Sequence, residues 1–170
     1  ILSGLVGSEM CIRDRFYGTL RDNLNLEGAA LSDEELFEAL DGVGLGAWVR
    51  SHPLGLDMPI QGNASLSGGQ RQAVGLVRVL VQDPPIVLLD EPTSSFDQTS
   101  EKQVVDYLQQ WLTGRTLILV THKKVMLSLV ERAVVMRQGR VIMDGALDQV
   151  VQDNVVSAPQ EPRGGNHAVQ

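Results

Sequence analysis

Two short aliphatic runs constrain the fold of this chain more than any other feature. Residues 86–89 (IVLL) and 117–120 (LILV) do not alternate with polar residues, and an amphipathic pattern over residues 99–112 separates them. Unbroken aliphatic runs are typical of strands that are buried on both faces of a parallel sheet. A helix between two such strands forms a right-handed strand–helix–strand unit. The sequence therefore predicts an α/β fold with parallel strands over residues 86–90 and 116–121.

Polar residues follow both runs at the points where the predicted strands end. Asp90 and Glu91 come directly after the first run, and Thr121 and His122 come after the second. The carboxyl ends of parallel strands meet at one edge of the sheet, and ligands of such sheets bind there. We therefore expect Glu91 and His122 to lie at the same ligand-binding edge.

The side chains at this edge suit the hydrolysis of a phosphate. Asp90 can hold Mg²⁺ through a water ligand, because Mg²⁺ in proteins usually keeps several waters. Glu91 can accept a proton from an attacking water as a general base. His122 can bond a terminal phosphate oxygen and orient the water. The alternatives are an acid pair that caps a helix and a loop histidine without a chemical role.

A second candidate site is the serine–glycine turn of residues 66–70 (LSGGQ), which precedes an amphipathic pattern to residue 82. Ser67 is of a type that caps helices. Gly68 and Gly69 let a ligand approach the backbone closely, and the free N–H groups of a helix N-terminus favour phosphate. The alternative is an ordinary serine-capped helix. The acid-ended strand that follows at this spacing favours the phosphate site.

The sequence contains no lysine-bearing phosphate loop. No G-x-x-x-x-G-K-[ST] pattern occurs, and none of the lysines follows a glycine. The chain is therefore expected to be only half of an ATPase.

Charge and composition argue against several other classes. The net charge of −7, without a Lys/Arg cluster, disfavours nucleic acid as the main partner. The single cysteine, Cys11, rules out an internal disulfide framework. No apolar run approaches the roughly 18–20 residues that span a bilayer.

The remaining segments carry local signals. Ser32 and Glu35 have the spacing of a capping box, which predicts a helix start, whereas residues 51–65 are punctuated by Gly and Pro and are expected to form a loop. Further elements are predicted as helical segments over residues 19–24, 47–50, 125–130 and 147–151, and as a hairpin of residues 133–137 and 140–143.

The two ends of the chain differ from its middle. Residues 1–15 have no periodicity that continues into the next segment and resemble translated adapter sequence, so we predict a non-native leader. Residues 153–170 are rich in Pro and Gly and poor in large apolar residues. We expect them to form a disordered tail.

In combination, the motifs resemble those of the ATP-binding-cassette (ABC) ATPases. Residues 66–70 resemble the signature motif, 86–91 the Walker B strand, 94–97 the D-loop and 121–122 the switch histidine. The resemblance covers residues 16–152. It implies ATP and Mg²⁺ as cofactors and a partial P-loop NTPase fold, in which the Walker A half is missing.

The resemblance divides this range into a helical signature subdomain, residues 16–82, and a core with Walker B, D-loop and switch histidine, residues 83–152. Phe96 stands where a small residue or leucine is usual in the D-loop, which puts the local subunit contact in question.

Roles for individual residues follow from the same resemblance. Asp90 would serve Mg²⁺, Glu91 the attacking water and His122 the γ-phosphate of ATP. Asp97 would lie at the contact between two ATPase subunits. The residues that would contact the γ-phosphate of ATP held by the opposite subunit are Ser67, Gly68, Gly69 and Gln70.

The implied partners are a second ATPase subunit, as a homodimer, and a transmembrane permease on the same parent chain, at the cytoplasmic face of a bacterial inner membrane. Residues 16–24 (FYGTLRDNL) and 52–60 (HPLGLDMPI) are most similar to type I protein-secretion permease/ATPases. Two alternatives remain. One is a catalytically inert interaction module, and the other is a soluble ABC protein of DNA repair or translation.

Overall fold

The computed structural model describes residues 17–25, 30–62 and 65–156. These residues fall into two compact units, with the boundary between Leu129 and Val130. The leader predicted over residues 1–15 lies outside the described residues. The same holds for residues 157–170 of the predicted tail.

The first unit begins with a small antiparallel pair that the sequence did not predict. Strand β1 (Tyr17–Thr19) leads into helix α1 (Leu20–Leu24) and pairs with strand β2 (Pro59–Gln61). The prediction of an unstructured loop over residues 51–65 is therefore wrong, since this range also holds a 3₁₀ turn at Gly55–Asp57. A strand of three residues is too short to show alternation, and its partner is distant in sequence.

Two short helices follow α1. Helix α2 (Asp33–Gly42) begins at the predicted capping box, in which the Glu35 amide donates to Ser32 Oγ at 3.2 Å and the Ser32 amide donates to Glu35 Oε2 at 2.7 Å. Helix α3 (Gly46–Ser51) occupies the predicted brief helical stretch.

Helix α4 (Gly68–Gln82) is the long helix that the LSGGQ turn begins. Its buried residues include the apolar side chains Ala73, Leu76, Val77 and Leu80 of the amphipathic pattern. One of them is charged: Arg78 is 1% exposed, and its Nε donates to Asn23 O at 2.5 Å. The helix ends at Asp83, whose φ of 47° is left-handed, and Pro84 and Pro85 then prevent continuation.

The strand–helix–strand unit confirms the central prediction. Strand β3 (Ile86–Asp90), helix α5 (Gln98–Trp111) and strand β4 (Thr116–Val120) follow in order. The two strands pair in parallel, with Ile86 opposite Thr116 and Asp90 opposite Val120. Their carboxyl ends therefore lie at the same edge of the pair.

One part of that prediction is wrong, because the strand pair is buried on one face only. Val87 and Leu89 lie in the core at 1% and 7% exposure. On the opposite face Ile86, Ile118 and Val120 are 56%, 53% and 57% exposed. Aliphatic composition shows what a strand can bury, but burial also needs a covering layer. In the described part of the chain, other elements cover one face.

A 3₁₀ segment, Lys124–Leu129, ends the first unit where a helix over residues 125–130 was predicted. In the second unit, strands β5 (Arg132–Arg137) and β6 (Arg140–Ala146) form the predicted hairpin. Its turn places Gln138 and Gly139 at φ of 50° and 74°, as a tight hairpin turn requires.

Helix α6 (Leu147–Val156) closes the second unit. It continues past residue 152, so its backbone is helical over the first residues of the predicted tail.

Candidate functional site

The two polar clusters predicted to share an edge meet there. His122 Nδ1 lies 2.7 Å from Glu91 Oε1, and the backbone amide of His122 donates to the same oxygen at 3.1 Å. The Glu91 amide donates to Val120 O at 2.9 Å, which extends the pairing of β3 and β4 by one bond. The parallel register therefore holds the carboxylate and the imidazole in contact.

Glu91 has two features that set it apart from an ordinary surface acid. Its φ of 45° is left-handed, a conformation that residues other than Gly rarely adopt. Its second carboxylate oxygen, Oε2, is buried and has no hydrogen-bond partner among the described residues. A buried acceptor without a donor is costly, at about 1–3 kcal/mol. This oxygen is therefore suited to accept a hydrogen bond from a bound water.

Asp90 ends β3 on the exposed side of the strand. No group of three or more His, Cys, Asp or Glu side chains that could hold a metal occurs within residues 17–25, 30–62 and 65–156. Mg²⁺ is commonly held by one or two carboxylates together with phosphate oxygens and waters. An exposed Asp90 beside Glu91 fits that kind of site, in which the nucleotide supplies other ligands.

The serine–glycine turn is built as a reciprocal cap. The Gln70 amide donates to Ser67 Oγ at 3.1 Å, and the Ser67 amide donates to Gln70 Oε1 at 2.8 Å. The Gln70 side chain is therefore engaged within the turn. The amides of Gly68 and Gly69 belong to the first helical turn, where N–H groups have no acceptor within the helix. These two amides can serve an anion.

The turn also lies against the loop that follows β3. A Cβ atom built on Gly69 would lie 3.1 Å from Ser95 O, and one built on Gly68 would lie 3.7 Å from Ser95 Cβ. A side chain at position 69 would therefore push Ser95 O back by a few tenths of an ångström. A cleft of about 380 Å³ opens here, and its lining includes Ser67, Gly69, Gln70, Ser95 and Asp97.

Asp97 caps helix α5. Its Oδ1 accepts from the amides of Thr99 and Ser100 at 2.9 and 3.0 Å, and its Oδ2 accepts from the Ser100 hydroxyl at 2.8 Å. The backbone N–H and then the hydroxyl of Ser100 hold the pKa of Asp97 below its ordinary value. The predicted role of Asp97 at a subunit contact stays a prediction.

Sequence reasoning missed an ion pair next to the site. Lys123 follows His122 directly, and its Nζ lies 2.8 Å from Glu101 Oε1 and donates to Thr93 O at 2.5 Å. The Thr93 hydroxyl donates to Glu101 Oε1 at 2.5 Å. Burial raises the pKa of Glu101, but the hydrogen bonds from Lys123 and Thr93 outweigh it, so the pKa lies below its ordinary value.

Gln72 was also missed. Its side chain joins α4 to the loop after β3, with hydrogen bonds to Glu91, Ser94 and Ser95. A glutamine in the second turn of an amphipathic helix has no pattern that marks it. The adjacency of Lys123 to His122 was the only sequence signal for either feature.

Comparison with known proteins agrees with this geometry. The sequence profile of the family described as ABC transporter matches residues 9–94. The chain belongs to the ABC transporter family. The matched range begins inside residues 1–15, and the non-native origin of that segment stays a prediction.

The family assignment is supported by transporter sequences. The chain is 37% identical over 140 residues to an ATP-dependent lipid A-core flippase of Neisseria meningitidis, which covers 82% of this chain and 22% of the flippase. It is 38% identical over 130 residues to the glutathione/L-cysteine transport system ATP-binding/permease protein CydC of Escherichia coli. This match covers 76% of this chain and 22% of CydC. The chain thus spans about a fifth of the length of these relatives.

A solved structure confirms the predicted ABC fold. A bacterial Atm1-family ABC exporter with ATP bound matches 87% of this chain and 27% of its own, with a TM-score of 0.73 and 26% identity. The chain therefore corresponds to part of the nucleotide-binding domain of ABC exporters. No helix in the part of the chain that the structure describes has the length and apolar character to cross a membrane.

Proposed function

We propose that this chain is the catalytic half of an ATP-hydrolysing domain that drives a membrane exporter. The observation that carries the proposal is the contact between Glu91 and His122 at the carboxyl edge of β3 and β4. With it goes Glu91 Oε2, which has no partner within the part of the chain that the structure describes. An oriented carboxylate with a free acceptor is what a general base for water needs. The exporter relatives support ATP as the substrate.

In the proposed reaction each residue has one task. Glu91 Oε2 accepts a hydrogen bond from the attacking water and takes its proton, while Oε1 stays in contact with His122. The exposed imidazole of His122 bonds the terminal phosphate of ATP. Asp90 would hold Mg²⁺ through water, and the ion would neutralise charge on the phosphates.

The signature turn would act on a neighbouring molecule. The amides of Gly68 and Gly69 and the hydroxyl of Ser67 would meet the γ-phosphate of ATP bound by a second ATPase subunit, and Gln70 would hold the turn in shape. Asp97 would lie at the same subunit contact. The permease would be fused to the same parent chain, and the domain would work at the cytoplasmic face of the bacterial inner membrane.

The 170-residue chain by itself would bind ATP weakly or not at all. The lysine and the backbone N–H cradle of a phosphate loop supply much of the affinity for phosphates, and the sequence has no such loop. Isothermal titration calorimetry with Mg-ATP tests this, and micromolar affinity of the chain would contradict it.

The decisive experiment is ATP hydrolysis by the complete natural polypeptide that contains this chain. We expect Glu91→Gln to reduce kcat by about a hundredfold or more, the size of a general-base contribution. Glu34→Gln, on the exposed first turn of α2, is the matched control and should retain wild-type turnover. Unchanged steady-state hydrolysis by the Glu91 variant would remove the base role, and with it the proposed mechanism.

The cargo is a narrower proposal. The segments 16–24 and 52–60 favour type I protein secretion, whereas the relatives include a lipid flippase and a glutathione/cysteine transporter. Stimulation of the ATPase activity by a secreted polypeptide, by lipid A-core or by glutathione distinguishes these cargoes. Stimulation by lipid A-core or by glutathione, without stimulation by the polypeptide, would exclude the secretion proposal.

A further inference from the structure

The carboxamide of Gln72 forms hydrogen bonds with three residues of one loop. Its Nε2 donates to Glu91 O at 2.7 Å and to Ser94 Oγ at 3.0 Å, and its Oε1 accepts from the Ser95 amide at 2.8 Å. A carboxamide has two N–H donors, and both are used here. The three partners lie 19 to 23 residues away in sequence. The side chain therefore links helix α4 to the segment directly after β3.

The bond to the carbonyl of Glu91 supports an unfavourable backbone conformation. Glu91 has a φ of 45°, a left-handed conformation that residues with a Cβ atom rarely adopt. Its carbonyl accepts from Gln72 Nε2 and from the Ser94 amide, and its amide donates to Val120 O. These bonds hold the peptide on both sides of Cα and so set the direction of the carboxylate toward His122.

A second contact fixes the other end of the same link. Gly69, one turn before Gln72, approaches Ser95 O so closely that a Cβ atom there would lie at 3.1 Å. The first turn of α4 and the loop from Glu91 to Ser95 are therefore joined by a side chain and by a backbone contact. A displacement of the serine–glycine turn would be passed to the backbone of Glu91.

We propose that Gln72 is a positioning residue that couples the phosphate-facing turn of α4 to the catalytic base Glu91. The proposal rests on the proposed function for the role of Glu91, but the link itself does not. Gln72 touches no reacting group. It acts through the carbonyl of Glu91 and through Ser95.

The link is tested first without any activity, by hydrogen exchange of the Ser95 amide in the 170-residue chain followed by NMR. We expect Gln72→Met, which keeps the length but removes the carboxamide, to speed exchange at Ser95 about fivefold or more, the equivalent of one lost hydrogen bond. Gln82→Met, at the exposed end of the same helix, is the matched control. Unchanged exchange at Ser95 in a folded Gln72→Met chain would overturn the link.

A second variant separates the two ends of the carboxamide and covers the case in which Gln72→Met does not fold. Gln72→Glu keeps an acceptor for the Ser95 amide and loses the donor to Glu91 O. We expect slow exchange at Ser95 to persist in this variant. Fast exchange there would show that the Oε1 contact does not hold the loop.

The coupling to chemistry is tested by steady-state ATP hydrolysis in the complete natural polypeptide. We expect both Gln72 variants to lower kcat about tenfold while KM for ATP changes less than twofold, because positioning of the base is lost and nucleotide contacts are kept. A rise in KM alone, or wild-type kcat, would overturn the positioning role. Glu91→Gln, measured alongside, identifies failure of the proposed function, since its unchanged turnover would mean that Glu91 is not the base.

Discussion

Two glutamates only ten positions apart in sequence are used in opposite ways by this fold. Glu101 is nearly buried and has its carboxylate paired with Lys123 and Thr93. Glu91 is more exposed, bonds His122 through one oxygen and leaves the other oxygen without a partner among the described residues. A carboxylate that is held by a lysine and a hydroxyl stabilises the fold and is unavailable for chemistry. An incompletely paired one gives up stability and remains available for a proton.

The largest expected loss of stability follows from removing Lys123, the partner of Glu101. Lys123→Met leaves Glu101 buried beside Thr93 alone, and breaking a buried ion pair by removing one partner costs about 3–5 kcal/mol. We expect urea unfolding of the 170-residue chain to show a loss of about 3 kcal/mol. The matched control, Lys102→Met, removes an exposed lysine of helix α5 and should change stability by less than about 0.5 kcal/mol.

A double variant sharpens the assignment of that loss to the pair. Glu101→Gln combined with Lys123→Met should be more stable than Lys123→Met alone, because no unpaired charge remains buried. Equal stability of the single and double variants would mean that Lys123 acts through Thr93 rather than through Glu101.

The next effect is the pH dependence of the same pair. The folded-state pKa of Glu101 is lowered from its ordinary 4.5, so its stabilisation is complete above that value and is lost as pH falls through the folded pKa. We expect the stability difference between wild type and Glu101→Gln to be constant from pH 7 to about 5.5 and to shrink below about pH 4.5. A difference that grows on acidification would have the wrong sign.

A third carboxylate, Asp97, lies between the two cases. Both of its carboxylate oxygens accept hydrogen bonds, from Thr99 and Ser100, but its side chain is exposed at the start of α5. Loss of an N-cap destabilises a helix, so Asp97→Ala should show a measurable loss of stability in urea unfolding. Asp97→Ser, which can still cap, should recover most of it. Failure of serine to recover stability would show that the charge of Asp97, and not its capping bond, is what matters.

The smallest expected change in stability is that of a Glu91 variant. Glu91→Gln keeps an acceptor for the His122 amide and replaces Oε2, which has no partner among the described residues, by an NH2 group of similar size, so we expect stability within about 0.5 kcal/mol of wild type. The measurement is urea unfolding at pH 7. A loss as large as that for Lys123→Met would erase the distinction between the two glutamates.

The parts that could be predicted were those governed by local chemistry or by strand polarity. The caps at Ser32 and Ser67 follow from the hydrogen-bonding needs of a helix N-terminus, which neighbouring residues satisfy. The contact of Glu91 with His122 follows from the parallel order of two strands, since their carboxyl ends must share an edge.

The features that were missed depend on partners far apart in sequence or on a covering layer. Pairing of β1 with β2 joins residues about 40 positions apart over three residues each. The exposed face of β3 and β4 carries Ile86, Ile118 and Val120, which are as aliphatic as the residues of the buried face, so the aliphatic runs alone do not show which face is covered. The bonds of Gln72 to the loop after β3 have no local signal.

By itself, the sequence determined the family, the order of the main elements and which side chains stand at the ends of the two central strands, because motif chemistry and hydrophobic patterning are local properties. Only the tertiary structure decided which glutamate is paired and which is available. It places Thr93 and Lys123 against Glu101, and Gln72 against the backbone of Glu91. Those choices depend on distances between elements, because an ion pair or hydrogen bond contributes only when the fold brings its two atoms within about 3 Å.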